Sequence, residues 1–530
     1  MANPRRSLFF NALILTASGI VLQLLGFGYR VFLSWRIGAD GMGVFALVMP
    51  AYSVMLAVTL SGVGTAVTAV ASERSALGDR AGTAAVVRTA VLLFLGLFAV
   101  SAVLVFAFSG WISAALLGDA DTELALLLLL PCLLFTGLEN IVKSFFYGVH
   151  DVRSPALSDQ LEQLVRIAAV AALLLILRPQ DSGTAAALIV AGMIVSEIFS
   201  SSFLGAMYRR WRRADRARPK LTAGSPLHRG LLGKLAAMAL PVAAAAVANN
   251  LLSSANTVLI PQRLMTAGFT QTAAVSALGV MMGMALPLYM IPMAFVGPIA
   301  TLMLPQLTES TALRNSADVR RKVGRAIQVT GLLSLPVIAV LSPLGPPICR
   351  LIYNQNIPSE HFWWLAAGSA LVYYQVITTS LLNGVGRQNR AMIHNVLGGV
   401  VQLVFTWFAV GDPRFGLTGF LMGYVADAAI VFILNLWDLT RALQLRVDWA
   451  AWFVMPALAA LASGFATGNV FHMCAGPLGE TPAMLTGIGT GAVFFLLTLR
   501  IQGISALGYL RAHLPQRQKP PVNDAGLRIR

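Results

Sequence analysis

Charge is scarce in this chain. Only 11% of its 530 residues are Asp, Glu, Lys or Arg, under half the share usual in soluble domains, and no polar stretch is long enough to fold as a soluble domain. Cysteine is scarcer still. Cys132, Cys349 and Cys474 are odd in number, scattered and without metal spacing, which excludes a disulfide framework and leaves them as packing residues. The six histidines are equally dispersed, with His361 and His394 near the ends of apolar runs, so neither a metal site nor a cofactor is expected. There is no GxSxG, no Walker A lysine motif and no HExxH. These absences argue against an enzyme.

What the chain has instead is apolar length. It is 57% hydrophobic with a mean hydropathy of +0.74, and windows of about 20 apolar residues, enough to cross a hydrocarbon core, recur from end to end. The fold class is therefore an all-α polytopic membrane protein. Fourteen spans are predicted, near 8–33, 43–70, 84–109, 123–148, 156–177, 184–208, 235–261, 275–304, 324–345, 361–383, 391–410, 416–437, 450–469 and 483–504. The first follows Arg5 and Arg6 but is longer than a signal core and lacks a small-x-small cleavage site, so it is read as an uncleaved span.

A net charge of +16 would point to nucleic acid in a soluble protein, but the placement of the cations points to topology. The N-terminus, every second loop and the tail hold 31 of the 38 basic residues, and the alternate loops hold five. That asymmetry predicts both termini in the cytoplasm, with no nucleic-acid partner. The stretch 209–234 carries nine basic residues against Asp215 alone and is read as a topology determinant lying on anionic membrane lipids; 505–530 is read as a frayed cytoplasmic tail.

The chain also repeats itself at an offset near 236. Pro50 and Tyr52 recur as Pro287 and Tyr289; Ser144, Gly148 and Val149 recur as Ser380, Gly384 and Val385; Gly192 and Glu197 are echoed by Gly423 and Asp427. An offset of six spans preserves orientation, so two parallel six-helix lobes are expected, 1–208 and 235–440, around a central cavity, with two further helices over 441–504.

Few residues at membrane depth can carry chemistry. Arg30 costs roughly 2.5–3.5 kcal/mol to insert, so it should face a cavity or an anion. Glu162 and Arg166, four apart on one helix, can pair with each other as a structural ion pair. Glu139, Glu197 and Asp427 have no local partner and are candidates for ion coupling. The seventh span carries Asn249, Asn250, Ser253 and Asn256, a polar density that suits a cavity wall or interhelical hydrogen bonding, and Arg263 follows it. Pro287, Pro292 and Pro298 in the eighth span, and Pro50 in the second, mark kinks that suit gating.

The segments LLGFGYRVFLSWRIGADGMGVFALVMP, SPALSDQLEQLVRI, SSANTVLIPQRL and ALPLYMIPMAFVGPIATLMLPQLTES together resemble the polysaccharide biosynthesis proteins of the stage V sporulation protein B type. These belong to the multidrug, oligosaccharidyl-lipid and polysaccharide exporter superfamily, alongside the lipid II flippases. The resemblance implies a bacterial cell-membrane flippase in which two lobes form a V and move an undecaprenyl-pyrophosphate-linked glycan precursor by alternating access. It implies Arg30 as the pyrophosphate contact, with Gln23 standing where relatives often have another cation, and Asn249, Asn250, Ser253, Asn256 and Arg263 as further substrate contacts. A multidrug exporter of the same superfamily, a membrane glycan polymerase and a non-transporting scaffold are the alternatives.

Overall fold

Long apolar runs satisfy their own backbone hydrogen bonds by coiling, and the computed structural model is built of helices joined by short connections over the residues it describes, 4–77, 79–216, 230–312 and 315–503. The first lobe holds α1 (Pro4–Leu56), α2 (Gly62–Ala76), α3 (Arg80–Trp111), α4 (Glu123–Gly148), α5 (Arg153–Leu177) and α6 (Ser182–Arg216). The second holds α7 (Leu231–Thr266), α8 (Gln271–Leu278), α9 (Leu286–Tyr289), α10 (Met293–Ala312), α11 (Ser316–Tyr353), α12 (Ser359–Gly384), α13 (Gln388–Phe408) and α14 (Leu417–Leu443). The last pair is α15 (Met455–Leu478) and α16 (Glu480–Ile501).

Thirteen helices among the described residues are long and apolar enough to cross a membrane. The first of them, Ser18–Ser75, is 58 residues long. At about 1.5 Å per residue it measures roughly 87 Å, against a hydrocarbon core of about 30 Å. It holds two spans folded at Gly38, whose φ of 67° and ψ of −171° are not helical and favour glycine. The expected loop near 34–42 is thus a single-residue corner, and the count of fourteen spans stands with it.

The eighth span departs from the expected continuous helix over 275–304. It is a series of pieces: α8, a π turn at Gly279–Ala285, the four residues of α9, a turn at Met290–Pro292, and α10. Pro292 has no N–H to extend the helix, and Pro287 opens α9 where that lack costs nothing. The basic stretch is also shorter than expected as a loop, since α6 runs to Arg216 and α7 begins at Leu231; residues 217–229, and the tail 505–530, lie outside the described residues.

The two lobes repeat their packing. Both α4 and α5 lie on α6 in the first lobe, and α12 and α13 lie on α14 in the second. A Cβ added to Gly148 on α4 would meet Ala71, Thr68 and Ser72 of α2, and at the matching place in the second lobe Thr308 of α10 donates to the Gly384 carbonyl of α12 at 3.3 Å. The paired tyrosines are both buried: the Tyr52 hydroxyl meets Thr136 Oγ1 at 2.8 Å, and Tyr289 donates to the Phe362 carbonyl at 3.2 Å. The α15–α16 pair joins the second lobe at Gly464, seated on the Ala339 backbone of α11, and its own two helices close on each other where Gly491 meets Thr467.

The lobes meet along two seams. On the face opposite the N-terminus, a Cβ at Gly43 would lie 2.1 Å from the Val275 carbonyl oxygen, and one at Gly279 would lie 2.1 Å from that of Ala39. Trp35 donates to the Ile352 carbonyl, Gln262 to that of Leu116 at 2.9 Å and Gln271 to that of Gly118 at 3.1 Å, so this face is sealed by backbone contact and hydrogen bonds. Toward the N-terminal face, Gly62 of α2 packs on the Ala239 backbone of α7, and Lys234 bridges to Glu73 at 2.7 Å. The early part of α1 is loosely packed: a Cβ at Gly19, Gly26 or Gly28 would meet nothing within 4 Å and Leu24 is 63% exposed, while Gln160 of α5 ties it down by donating to the Ser18 carbonyl and hydroxyl at 2.8 Å.

Candidate functional site

Between the lobes lie two adjoining chambers of about 510 and 210 Å³, which share Ser253, Thr257 and Met282 on their walls. The larger belongs mainly to the first lobe. Helical spacing puts Gly26, Tyr29, Arg30 and Leu33 on one face of α1, and all four line it. Arg30 is solvent-exposed, and no carboxylate among the described residues pairs with it. The second cation on this wall is Arg166 of α5, with Gln163 one turn earlier. Tyr29 adds a buried hydroxyl with no hydrogen-bond partner among the described residues.

Behind Arg166 is a charge network that joins α4, α5 and α6. Arg166 Nη2 donates to Glu162 and, at 3.0 Å, to Glu197; its Nε reaches Ser196 Oγ at 3.2 Å. The expected Glu162–Arg166 pair is formed, but it is only part of the arrangement. Lys143 of α4 bridges to Glu139, to Asp159 at 2.5 Å and to Glu162 at 3.3 Å. Glu139 and Glu197, expected to lack a local partner, both have cations, Glu139 in Lys143 one turn along its own helix and Glu197 in Arg166 across from α5, although among the described residues Oε2 of each is buried without a hydrogen-bond partner. Carboxylate oxygens of Glu139, Asp159 and Glu162 lie within 4.8 Å of one another, a spacing that could hold a metal ion, but the Lys143 ammonium stands among them as a tethered cation.

Sequence reasoning placed Lys143 with the loop cations because it is five residues from the end of its helix. The signal that identifies it is Glu139 at i−4 on the same helix face.

The smaller chamber belongs to the second lobe and is lined by carboxamides: Asn249 and Asn256 of α7, Gln375 of α12, and Asn395 and Gln402 of α13. Asp427 of α14 is its acid. Gly398 gives that carboxylate room, since a Cβ there would lie 2.1 Å from Asp427 Oδ1. Asn256 is tied down, its Oδ1 accepting from Thr406 at 2.7 Å, and Gln375 donates to Asn395 at 3.3 Å. Gln375, Asn395 and Gln402 were missed in the sequence. The seven-residue interval between Asn395 and Gln402 puts both on one helix face and was the available signal.

Other sequence candidates fall elsewhere. Asn250, Ser253 and Ser254 line the larger chamber, and Ser254 Oγ donates to the Pro50 carbonyl at 3.2 Å, joining the two lobes beside a helix proline. Gln23 is exposed on α1 away from both chamber walls. Arg263 is also off the walls: its Nε donates to the Trp407 carbonyl at 2.8 Å and its guanidinium lies 4.5 Å over the Trp407 ring. Pro287 and Pro292 bracket the broken segment of the eighth span, while Pro298 lies inside α10.

The model of a family described as polysaccharide biosynthesis protein matches residues 8–310. Stage V sporulation protein B of Bacillus subtilis (strain 168) is 22% identical over 437 residues, covering 82% of this chain and 84% of that protein. Among solved structures, the lipid II flippase MurJ in an inward closed conformation superposes with a TM-score of 0.68 at 14% identity, covering 92% of this chain and 98% of MurJ. A multidrug resistance MATE family transporter in an inward-facing conformation gives a TM-score of 0.64 at 15% identity, covering 82% of this chain and 99% of that one.

Proposed function

The chain belongs to the polysaccharide biosynthesis protein family, and from that membership we propose that it flips an undecaprenyl-pyrophosphate-linked cell-envelope glycan precursor across the bacterial cell membrane. It is a membrane transporter of the flippase type and not an enzyme. The observation that carries the choice of cargo is Arg30: an unpaired guanidinium on the wall of a 510 Å³ chamber between two lobes. A guanidinium offers planar paired donors that match phosphate oxygens, and in a chamber of reduced dielectric that charge attracts an anion strongly. The carboxamides of the second chamber offer both donors and acceptors, which suits the hydroxyls of a sugar. The lipid tail remains in the bilayer while the headgroup crosses, with both termini in the cytoplasm.

The face opposite the N-terminus is closed by the Gly43 and Gly279 contacts and three hydrogen bonds between the lobes, whereas toward the N-terminal face the lobes meet at Gly62 and at the exposed Lys234–Glu73 bridge, a difference that supports a chamber turned toward the cytoplasm. The break at Met290–Pro292, and Pro50 within α1 where Ser254 of the other lobe meets its carbonyl, suit a rocking of the lobes about the cargo site. A multidrug exporter for cationic compounds needs acids on the chamber wall; the larger chamber presents two arginines and no acid, and Asp427 of the smaller chamber is the one acid on either wall among the described residues.

Arg30→Ala should abolish complementation of a flippase-depleted strain at unchanged membrane abundance, and should abolish movement of labelled lipid-linked substrate in proteoliposomes. Full growth of the variant would exclude Arg30 as the anion contact. For coupling, Asp427 is the first candidate, since Glu139 and Glu197 already have cation partners. Asp427→Asn should slow gradient-driven transport about tenfold or more while leaving gradient-free exchange intact; an equal loss of both would assign Asp427 to cargo binding.

A further inference from the structure

Arg166 has a feature that a purely structural ion pair does not need. Its hydrogen bonds use Nε and Nη2 only, toward Ser196, Glu162 and Glu197, so among the described residues Nη1 is left for the chamber whose wall it forms. Its partner Glu162 is shared with Lys143 at 3.3 Å and would keep a counter-charge if Arg166 turned away. The groups facing Arg166 are Glu162 on its own helix, Glu197 on α6, Cys132 on α4 and the Tyr29 hydroxyl on α1. That hydroxyl is buried with no partner, and a buried polar group without a partner is uncommon unless a ligand or water completes it.

We propose that Arg166 and Tyr29 complete, with Arg30, a subsite for a diphosphate, and that Glu162 and Glu197 hold Arg166 in reserve while the subsite is empty. This rests on the cargo reading above and names how its headgroup is recognised. Two guanidinium groups from different helices, α1 and α5, face one chamber. They match a ligand carrying two linked phosphates better than one carrying a single phosphate, because each phosphate can take its own charge-assisted pair. The carboxylates behind Arg166 compete with the ligand for the same donors. Binding is therefore an exchange of partners at Arg166, and weakening the resident partner strengthens the ligand.

The test is binding of polyprenyl diphosphate, polyprenyl monophosphate and uridine diphosphate to the full chain in lipid nanodiscs. Arg166→Gln should weaken polyprenyl diphosphate about tenfold or more and monophosphate by about twofold or less. Glu197→Gln should tighten diphosphate about threefold or more, whereas a structural role for the pair predicts weaker binding and a lower unfolding midpoint in both variants. Tyr29→Phe touches none of the ion pairs, so its expected loss of about threefold stands even if Arg166→Gln fails to fold. Unchanged diphosphate binding in Arg166→Gln, with loss in Arg30→Ala, overturns the subsite and leaves the cargo reading intact. Failure of the unaltered protein to bind polyprenyl diphosphate overturns that reading itself, and equal binding of uridine diphosphate would transfer the subsite to a soluble nucleotide.

Discussion

Lys143→Met should lower the apparent unfolding midpoint of the detergent-solubilised protein by roughly 5 °C or more. Methionine keeps the length and apolar stem, so the change isolates the charge. Lys143 is 13% exposed and contacts three carboxylates, of which Glu139 is 1% exposed. Removing one partner from a buried ion pair costs about 3–5 kcal/mol, because the remaining charge has lost its solvation without compensation. Glu162 keeps Arg166, but Glu139 and Asp159 do not have a second cation within salt-bridge distance among the described residues. A second change, Glu139→Gln, should recover much of the loss in the Lys143→Met background, since it removes the uncompensated charge. If Lys143→Met melts with the parent, the hub does not hold α4 and α5 together.

Gly279→Ala should open the sealed face. A single methyl there would lie 2.1 Å from the Ala39 carbonyl oxygen and 2.5 Å from the Gly43 amide nitrogen. Both obstacles are backbone atoms of α1, and no rotamer change can relieve the clash. Overpacking of this kind costs about 1–3 kcal/mol, which in a two-state transporter is a shift of roughly tenfold or more toward the state in which the seam is apart. A cysteine placed at Met282, which lines both chambers, reads that shift. Labelling by a membrane-impermeant thiol reagent applied from the side opposite the N-terminus should rise about tenfold, with transport falling in parallel. Gly489→Ala, at a position where a Cβ meets nothing within 4 Å, serves as the control. Equal labelling of the two variants would mean that the Gly43–Gly279 seam is not the barrier on that face.

The spans were legible because crossing a membrane requires about 20 consecutive apolar residues, and that length is written locally in the chain. The repeat was legible through proline, tyrosine and glycine positions that recur in the same order at offsets of 231 to 237. Arg30 was legible as a cavity residue because a cation at that depth has few other uses. The rest depends on which helices become neighbours. Arg166 was visible as half of an i, i+4 pair, but that it shares a wall with Arg30 follows only from α5 lying beside α1. Lys143 was hidden by its closeness to a loop, and a count of loop charges assigns such a residue to topology. Prolines at 287 and 292 announced irregularity in the eighth span. They could not announce that the helix stops between them, because a proline kink and a proline break have the same sequence and differ in what the neighbouring helices permit.

The one-residue corner at Gly38 has a mechanical counterpart in the turn at Met290–Pro292. In the first lobe, Arg30 and Pro50 sit on two legs of a hairpin joined by a single residue, with no slack in the connection and with the corner braced by Trp35 on Ile352. In the second lobe, the corresponding leg stops at Met290–Pro292 between the four residues of α9 and the 20 of α10, whereas in the first lobe a π turn at Ala57–Ser61 carries α1 into α2 without a stop. The full break is thus found in one of two halves that otherwise copy each other's packing. A helix bends most easily where its hydrogen-bond ladder is already broken, so movement of the lobes would concentrate at Met290–Pro292 and leave the geometry between Arg30 and the Gly38 corner unchanged.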